Sequence, residues 1–258
     1  YRQAVRIKSD YPEAYSNLGI VLVEMGDLKG AIDSFQAALH VRPDFAEAYC
    51  GLGGALHDLG DLDGAINNYQ QALKTNTYYL EALINMASVL MDMGDFKKAI
   101  CSYKQALKIK PDCAEACYGL GLAFKTRGDL ESAINSYNQA IKIKPDYAEA
   151  FYHLGNSLQQ KGDLDDAIVS YRHAVKIKPD YAVAHYNLGR AHQIKGDLDY
   201  AICSYEKTLK INPGLAEAYS YLSIALLDKG NFDGAMDSRR LILAAHLDHL
   251  WANKAIVW

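Results

Sequence analysis

Residues 145–179 read PDYAEAFYHLGNSLQQKGDLDDAIVSYRHAVKIKP, and this stretch decides the fold. Its start is typical of a capping box, because Asp146 is followed by Glu149 three residues later and two such side chains satisfy free backbone N–H groups at a helix N-terminus. A first helix is therefore predicted to begin at Asp146. It is expected to end near Gly162, since glycine suits the left-handed conformation that often follows a helix.

A second helix is predicted to follow this glycine. Asp163 can cap its first turn, and Lys176 and Lys178 lie in its last turn, where positive charge suits the negative end of the helix dipole. Pro179 then ends the helix and starts another segment of the same kind. The stretch therefore predicts two helices joined by a tight turn.

The same signals recur every 34 residues. Glycine followed by aspartate or asparagine occurs at positions 26, 60, 94, 128, 162, 196 and 230. Proline recurs in register at 43, 111, 145, 179 and 213. The capping-box pair recurs as Asp44 with Glu47 and as Asp112 with Glu115. This period indicates a repeat protein, in which each hairpin buries its apolar face against its neighbours.

Two packing positions follow the same period. Each first helix carries a small residue after a Leu or Met, as in Leu154-Gly155, and the second helices carry an alanine followed four residues later by an aromatic, as in Ala167 and Tyr171. The small residue is expected to let the second helix approach closely. The aromatic is expected to fill the space between the helices and the next hairpin. The last hairpin departs from this pattern, with Arg239 at the aromatic position.

This pattern resembles the tetratricopeptide repeat, in which Leu-Gly, Ala, Tyr, Ala and Pro stand at fixed offsets. The resemblance implies an all-α fold, a right-handed α-solenoid superhelix of stacked antiparallel helix pairs with the first helices on the concave side. Seven units are expected over residues 12–247. In register, repeats one to seven are 12–45, 46–79, 80–113, 114–147, 148–181, 182–215 and 216–249. Residues 1–11 are expected to be the second half of a truncated N-terminal repeat.

The final segment, residues 248–258, is apolar and contains both tryptophans of the chain. We expect it to form a C-terminal helix or the start of a truncated segment. Trp251 and Trp258 are a candidate end contact, because an apolar patch of this kind favours association. A fully exposed tail is disfavoured for the same reason.

Composition argues against several classes of function. The net charge is −4, which gives no electrostatic reason to expect nucleic acid as a partner. No apolar run reaches the length of about 18 residues that indicates a membrane span. We find no nucleotide-binding loop, nucleophile elbow or zinc-protease motif, so we expect no enzymatic activity, no cofactor and no metal. Five cysteines favour free thiols in a reducing compartment such as the cytoplasm.

The resemblance also implies a ligand groove on the concave side, where the fifth, sixth and ninth residues of each first helix lie. The fifth position places a tyrosine in three successive repeats: Tyr118, Tyr152 and Tyr186. The sixth and ninth positions place polar residues beside them: His153, Asn156, Asn187 and Arg190. Because tyrosine offers rigid apolar area and asparagine can hydrogen-bond a peptide backbone in both directions, we expect a peptide-binding ladder. The alternative is that duplication copied tyrosines that only pack.

Two known groove types of this family differ in their fit to the sequence. The carboxylate clamp of chaperone-binding members needs lysine at the fifth position, and no repeat has one. The array of O-linked N-acetylglucosamine transferases is more similar, because asparagine occurs at the sixth position in three repeats: Asn17, Asn85 and Asn187. The other four repeats depart from that pattern.

Three functions stay open at this point. The resemblance favours a scaffold whose partner is a protein or an extended peptide. The alternatives are the recognition arm of a larger enzyme, such as a glycosyltransferase, and a structural subunit of a multiprotein complex. His185 and His192, two turns apart on one helix, are expected to be packing histidines, with a pH-sensitive or metal-linked seam as the alternative.

Overall fold

The computed structural model describes residues 10–240, which form helices joined by short turns. First helices carry odd numbers: α1 Pro12–Glu24, α3 Ala46–Leu59, α5 Leu80–Asp92, α7 Ala114–Thr126, α9 Ala148–Lys161, α11 Ala182–Lys195 and α13 Ala216–Asp228. Second helices carry even numbers: α2 Leu28–Val41, α4 Leu62–Thr75, α6 Phe96–Ile109, α8 Leu130–Ile143, α10 Leu164–Ile177 and α12 Leu198–Ile211. Another second helix, α14, covers 232–240. The expected all-α repeat fold is confirmed. The predictions for residues 1–9 and 248–258, including Trp251 and Trp258, lie outside the described residues.

The chain divides into two compact units, and the boundary between Ser136 and Tyr137 falls inside α8. In both units a second helix packs against the first helix of its own repeat and against that of the next repeat. First helices of neighbouring repeats also contact each other, as α1 does with α3 and α9 with α11. Among the described residues of either unit, the backbones of second helices do not approach each other in this way, although the Arg172 guanidinium of α10 lies 5.7 Å from the Tyr200 ring centre of α12. Each unit therefore has a closed layer of first helices and an open layer of second helices.

An aromatic ring from the second helix fixes these contacts. Phe35 of α2 is 1% exposed, and a Cβ added to Gly19 of α1 or to Gly51 of α3 would come within 2.8 or 2.4 Å of its ring. The same contact with the glycine of the first helix recurs in the second unit: Tyr171 with Gly155 and Tyr205 with Gly189. The expected roles of the small residue and of the aromatic are confirmed, because the ring occupies the space that a side chain would fill.

Repeat seven replaces the ring with a polar contact. Arg239 stands at the aromatic position, and its Nε donates a hydrogen bond of 3.1 Å to the Oγ of Ser223, which stands at the glycine position. The Ser223 hydroxyl in turn donates to the backbone oxygen of Ala235 at 3.2 Å. A buried hydroxyl and a guanidinium thus satisfy each other where other repeats use a ring and a glycine.

The turn inside each hairpin follows the prediction. All seven glycines of these turns adopt a positive φ, between 77° at Gly94 and 97° at Gly162, which L-residues avoid. In four hairpins the next aspartate accepts a backbone hydrogen bond from the residue three places on: Asp27, Asp61, Asp95 and Asp129. Asp163 and Asp197 occupy the N-cap position without a side-chain cap hydrogen bond. Their carboxylates pair with Lys161 and His192 instead.

The predicted capping boxes are wrong. In α3, α7 and α9 the N-cap residue is the one after the aspartate, namely Phe45, Cys113 or Tyr147, and it makes no side-chain cap hydrogen bond. The aspartate belongs to the preceding turn, in which the Asp146 carbonyl accepts from the Ala148 N–H at 3.2 Å. An aspartate one residue too early cannot play the part of the N-cap side chain, so the Asp–Glu spacing alone is misleading.

Candidate functional site

The predicted groove residues are distributed over both units. Asn17, Asn85 and Tyr118 belong to the first unit, which ends at Ser136. The second unit holds the other six: Tyr152, His153, Asn156, Tyr186, Asn187 and Arg190. The full ladder from Tyr118 to Tyr186 therefore stays a prediction, and the geometry below is that of the second unit.

A row of polar side chains joins α9 and α11 in the second unit. The Nδ2 of Asn187 lies 2.9 Å from the Oδ1 of Asn156 and 3.3 Å from the Oη of Tyr152, and it donates to both. Tyr171, from α10, donates its hydroxyl to the same Asn156 oxygen at 2.8 Å and contacts the Oε1 of Gln159 at 2.9 Å. Three helices thus hold the two amides in fixed orientations. We call Tyr152, Asn156, Asn187 and Arg190 the polar row.

The two amides of the polar row keep unused hydrogen-bonding groups. The Nδ2 of Asn156 and the Oδ1 of Asn187 make no hydrogen bond within the described residues. One is a donor and the other is an acceptor. Both asparagines line a small cavity of about 260 Å³ together with Gln159, Gln160, Tyr171 and Arg190. The site therefore offers the two groups that a backbone C=O and N–H require.

Arg190 stands at the other end of the polar row, among aromatic rings. Its guanidinium carbon lies 5.9 Å from the Tyr186 ring centre and 5.5 Å from the Tyr221 ring centre. These two rings contact each other edge to face at 5.7 Å. Within the described residues Arg190 forms no ion pair with a carboxylate. The guanidinium can therefore take an external carboxylate while the rings hold its plane.

The tyrosines around the polar row are neutral hydrogen-bonding groups. Burial, the largest cause, raises the pKa of Tyr171 and of Tyr186 above the usual 10, although the Arg190 charge acts in the opposite direction on both. Tyr171 itself is fully buried. Their hydroxyls consequently stay protonated at neutral pH, as the donor role of Tyr171 requires.

His153 differs from its neighbours in the predicted groove. Its ring stacks on buried Tyr137 at 6.0 Å and meets Tyr152 edge to face at 5.0 Å. The sixth position is where a repeat touches the aromatic ring of the preceding one, as Gly119 touches Tyr103. His153 therefore combines half-exposed groove surface with a packing contact.

The predicted groove residues of the first unit have other surroundings. Asn17 is exposed. Burial, the largest cause, raises the pKa of the Cys50 thiol to about 12, while hydrogen bonding from Tyr79 and Asn85 acts in the opposite direction, so this thiol is a neutral packing group. The sixth-position asparagines thus occupy three different environments, because Asn187 pairs with Asn156.

Sequence reasoning missed four residues at this site. Tyr171 was assigned to packing from its period, yet its hydroxyl reaches the polar row. Gln159 and Gln160 line the cavity from one turn further along α9. Tyr221 occupies the sixth position of the first helix in repeat seven, which is the position that Asn187 occupies in repeat six. The repeat alignment could therefore have predicted Tyr221 as a groove residue.

The described residues contain neither a cluster of three or more metal-ligating side chains nor a helix able to cross a membrane. None of the five cysteines forms a disulfide; Cys50, Cys113 and Cys117 are buried, and Cys101 and Cys203 are exposed. His185 and His192 are buried, as packing histidines are.

Stacked helical hairpins with a polar and aromatic surface on the first helices define a helical-repeat scaffold. The chain belongs to the tetratricopeptide repeat family. The TPR repeat family matches residues 1–26, 87–126, 123–162 and 155–196, and further tetratricopeptide repeat matches cover 16–79 and 182–215. This fold is in general a non-catalytic interaction scaffold, and these matches include no catalytic family. Comparison with curated proteins gives no match.

Several solved structures are similar to this chain. MamA is 31% identical with a TM-score of 0.62, over 64% of this chain and 96% of that chain. YrrB, described as a TPR protein with an unusual peptide-binding site, is 22% identical with a TM-score of 0.60, over 71% of this chain and 95% of that chain. PilF of Pseudomonas aeruginosa is 17% identical with a TM-score of 0.73, over 81% and 96% of the two chains. At these identities, the similarity to YrrB and to PilF is one of fold.

Proposed function

We propose that the second unit binds an extended segment of a protein partner along the polar row. One observation carries the proposal: the Asn156 Nδ2 and the Asn187 Oδ1 form an unused donor and acceptor on neighbouring first helices. An extended peptide presents a C=O and an N–H that match such a pair. Because the amides are already held by Tyr152 and Tyr171, binding orders little that is mobile, which favours affinity.

The flanking groups indicate which peptide fits. Arg190 has no carboxylate partner among the described residues, so it suits an acidic side chain or a terminal carboxylate. Tyr186 and Tyr221 beside it add rigid apolar area. We therefore expect peptides in which a carboxylate neighbours an apolar residue. YrrB is a precedent for a peptide site on this fold.

The proposal is tested by peptide display against the full chain, followed by affinity measurement with the selected peptides. Asn187→Ala should weaken their binding about tenfold, because it removes a hydrogen bond and leaves Asn156 without its partner. Asn17→Ala removes an exposed asparagine from the same position of repeat one and should leave affinity unchanged. If the two variants bind the selected peptides with equal affinity, the polar row is not the peptide-binding site.

A continuous asparagine ladder of the glycosyltransferase type is not part of this proposal. Asn17, Asn85 and Asn187 occupy different surroundings, as described above. Two alternatives stay open: the recognition arm of a larger enzyme and a structural subunit of a multiprotein complex. The same binding experiment addresses both, because each of these functions also requires a binding partner.

A further inference from the structure

The open layer of second helices contains a cavity of about 710 Å³ in the second unit. It lies between α10 and α12, over α11, because the backbones of second helices of neighbouring repeats stay apart among the described residues. Val175, Leu188 and Ile211 supply apolar surface to it. Its volume falls in the range of about 300–1,000 Å³ that binding pockets of proteins occupy. None of the groups of the polar row lines it.

Basic side chains line both sides of this cavity. Arg172 and Lys176 come from α10, and Lys207 and Lys210 come from α12. No carboxylate lines the cavity. None of the four forms an ion pair with a carboxylate within the described residues. Arg172 contacts the His192 ring nitrogen at 3.5 Å, and its guanidinium carbon lies 5.7 Å from the Tyr200 ring centre. Four cations around an apolar floor attract anionic groups.

A buried histidine adds a second signal. His185 lines the cavity and is 6% exposed. Its Nε2 donates to the backbone oxygen of Pro179 at 3.0 Å, and its Nδ1 has no hydrogen-bond partner among the described residues. Leaving a buried polar atom without a hydrogen bond is energetically unfavourable. Packing alone would favour an apolar residue at this position.

The first unit provides that apolar comparison. A cavity of about 590 Å³ occupies the same place between α4 and α6. Counting back three repeats, His185 corresponds to Leu83, Arg172 to Gln70 and Lys207 to Gln105. The cavity there is lined by Asp63 and by Asp95, which pairs with Lys98 at 2.7 Å. Lys176 and Lys210 correspond to Lys74 and Lys108, so these two lysines are common to both units. Stacking of the repeats therefore does not require Arg172, Lys207 or His185, which the second unit has in place of two glutamines and a leucine.

We propose that the cavity between α10 and α12 is a second binding site, which takes an acidic segment of a protein partner with an apolar side chain on the cavity floor. The spacing of the cations favours a chain over a single small anion. Arg172 and Lys176 stand about one helical turn apart, and so do Lys207 and Lys210. An extended segment that crosses from α10 to α12 rises about 3.3 Å per residue, so carboxylates before and after a central apolar residue come near opposite rims while that residue enters between them.

Fluorescence anisotropy with the full chain tests this site. The probe is a short fluorescein-labelled peptide with a central leucine flanked by aspartates on both sides. We expect binding that weakens as sodium chloride is raised, because exposed charge pairs are screened by salt. The same peptide with asparagines in place of the aspartates should bind about tenfold more weakly, as should the peptide with alanine in place of leucine.

Two matched double variants separate the site from net charge. Arg172→Gln with Lys207→Gln introduces the residues that the first unit carries, so the fold should be kept, as circular dichroism will show. This variant should lower affinity about tenfold, with each charge contributing about twofold to fivefold. Lys74→Gln with Lys108→Gln changes the net charge equally at two exposed lysines of the first unit and should leave affinity unchanged.

Other outcomes would overturn the proposal. These are no binding of the aspartate peptide, equal binding of the asparagine peptide, and equal losses for the two double variants. Binding to phosphatidylserine vesicles without binding of the peptide would also overturn it, in favour of a membrane surface. Asn187→Ala should leave this binding intact. If Asn187→Ala abolishes it, the peptide occupies the polar row instead, so failure of either proposed site is distinguishable from failure of the other.

Discussion

Gly53 and Gly54 are neighbours in α3 but have different surroundings. A Cβ at Gly53 would lie 2.8 Å from the Tyr69 ring, whereas a Cβ at Gly54 would have the Tyr69 hydroxyl at 3.7 Å as its nearest neighbour. Tyr69 is 1% exposed, so it has little room to move. Gly53→Ala is therefore expected to lower the free energy of unfolding by about 1–3 kcal/mol, which urea unfolding followed by circular dichroism measures.

Gly54→Ala is the matched control, because it makes the same exchange in the same helix. Without a clash, alanine favours the helical state over glycine. The free energy of unfolding should stay unchanged or rise by up to about 1 kcal/mol. If both variants lose the same stability, the ring contact is not the reason for the glycine at position 53.

The candidate site could be predicted from sequence only in part. Asn156, Asn187 and Arg190 followed from the groove positions that the resemblance to the tetratricopeptide repeat implies. Tyr171 could not be found in this way, because its period marks it as a packing ring and only the crossing of α10 over α9 brings its hydroxyl to Asn156. The 34-residue recurrence of Tyr171 indicates its packing role, which the aromatic residues of other repeats share, and does not indicate the hydrogen bond that its hydroxyl makes to Asn156.

At the scale of the helix, the aspartates of the Gly-Asp turns are not equivalent. Asp61 accepts a hydrogen bond of 2.9 Å from the Gly64 N–H at the start of α4. Asp163 occupies the N-cap of α10 without such a bond and lies 3.5 Å from Lys161. Asp61→Ala is expected to lower the free energy of unfolding by about 1 kcal/mol, because a backbone N–H loses its partner.

Asp163→Ala removes the same side chain where it makes no cap. It should cost less than half of the Asp61→Ala loss, because exposed ion pairs stabilise proteins by only about 0–1 kcal/mol. Thermal unfolding of the two variants under identical conditions gives the comparison. Equal losses would show that position, and not the hydrogen bond, determines the effect.

The helices and turns were predictable because glycine, proline and the packing residues all obey one period. The N-termini of the first helices were not. Tyr147 adopts φ −87° and ψ 82° as the N-cap of α9, so the helix begins one residue after the position that Asp146 and Glu149 indicate. Sequence spacing does not determine which residue takes the non-helical backbone angles of an N-cap.

At the scale of the whole molecule, one period encodes two different layers. Within the described residues of each unit, the backbones of neighbouring first helices approach each other and those of neighbouring second helices do not. A cavity lies on the second-helix side in each unit, between α4 and α6 and between α10 and α12. The period predicts that such spaces exist, because it sets the stacking. What each space binds depends on residues that depart from the period, such as His185 in place of Leu83 and Lys207 in place of Gln105.

Stability of the protein should therefore depend on pH in the range where histidine titrates. Burial, the largest cause, lowers the pKa of His185 and of His192 below the usual 6.5, and the charges of Lys207 and Arg172 act in the same direction. The lowered pKa means that both rings take up protons at a lower pH in the folded protein than in the unfolded chain, which binds them as the pH falls through 6.5. The free energy of unfolding should accordingly fall as the pH is lowered from about 7 to about 5.

His185→Leu, which introduces the residue of repeat three, should reduce this loss and raise stability at neutral pH, because it also removes the unsatisfied Nδ1. His40→Leu changes an exposed histidine of the first unit and should leave the pH dependence as it is. Urea unfolding at a series of pH values measures the slope for the three proteins. A slope that His185→Leu does not change would mean that the ring is solvated or protonated in the folded state, which contradicts its burial between α10 and α12.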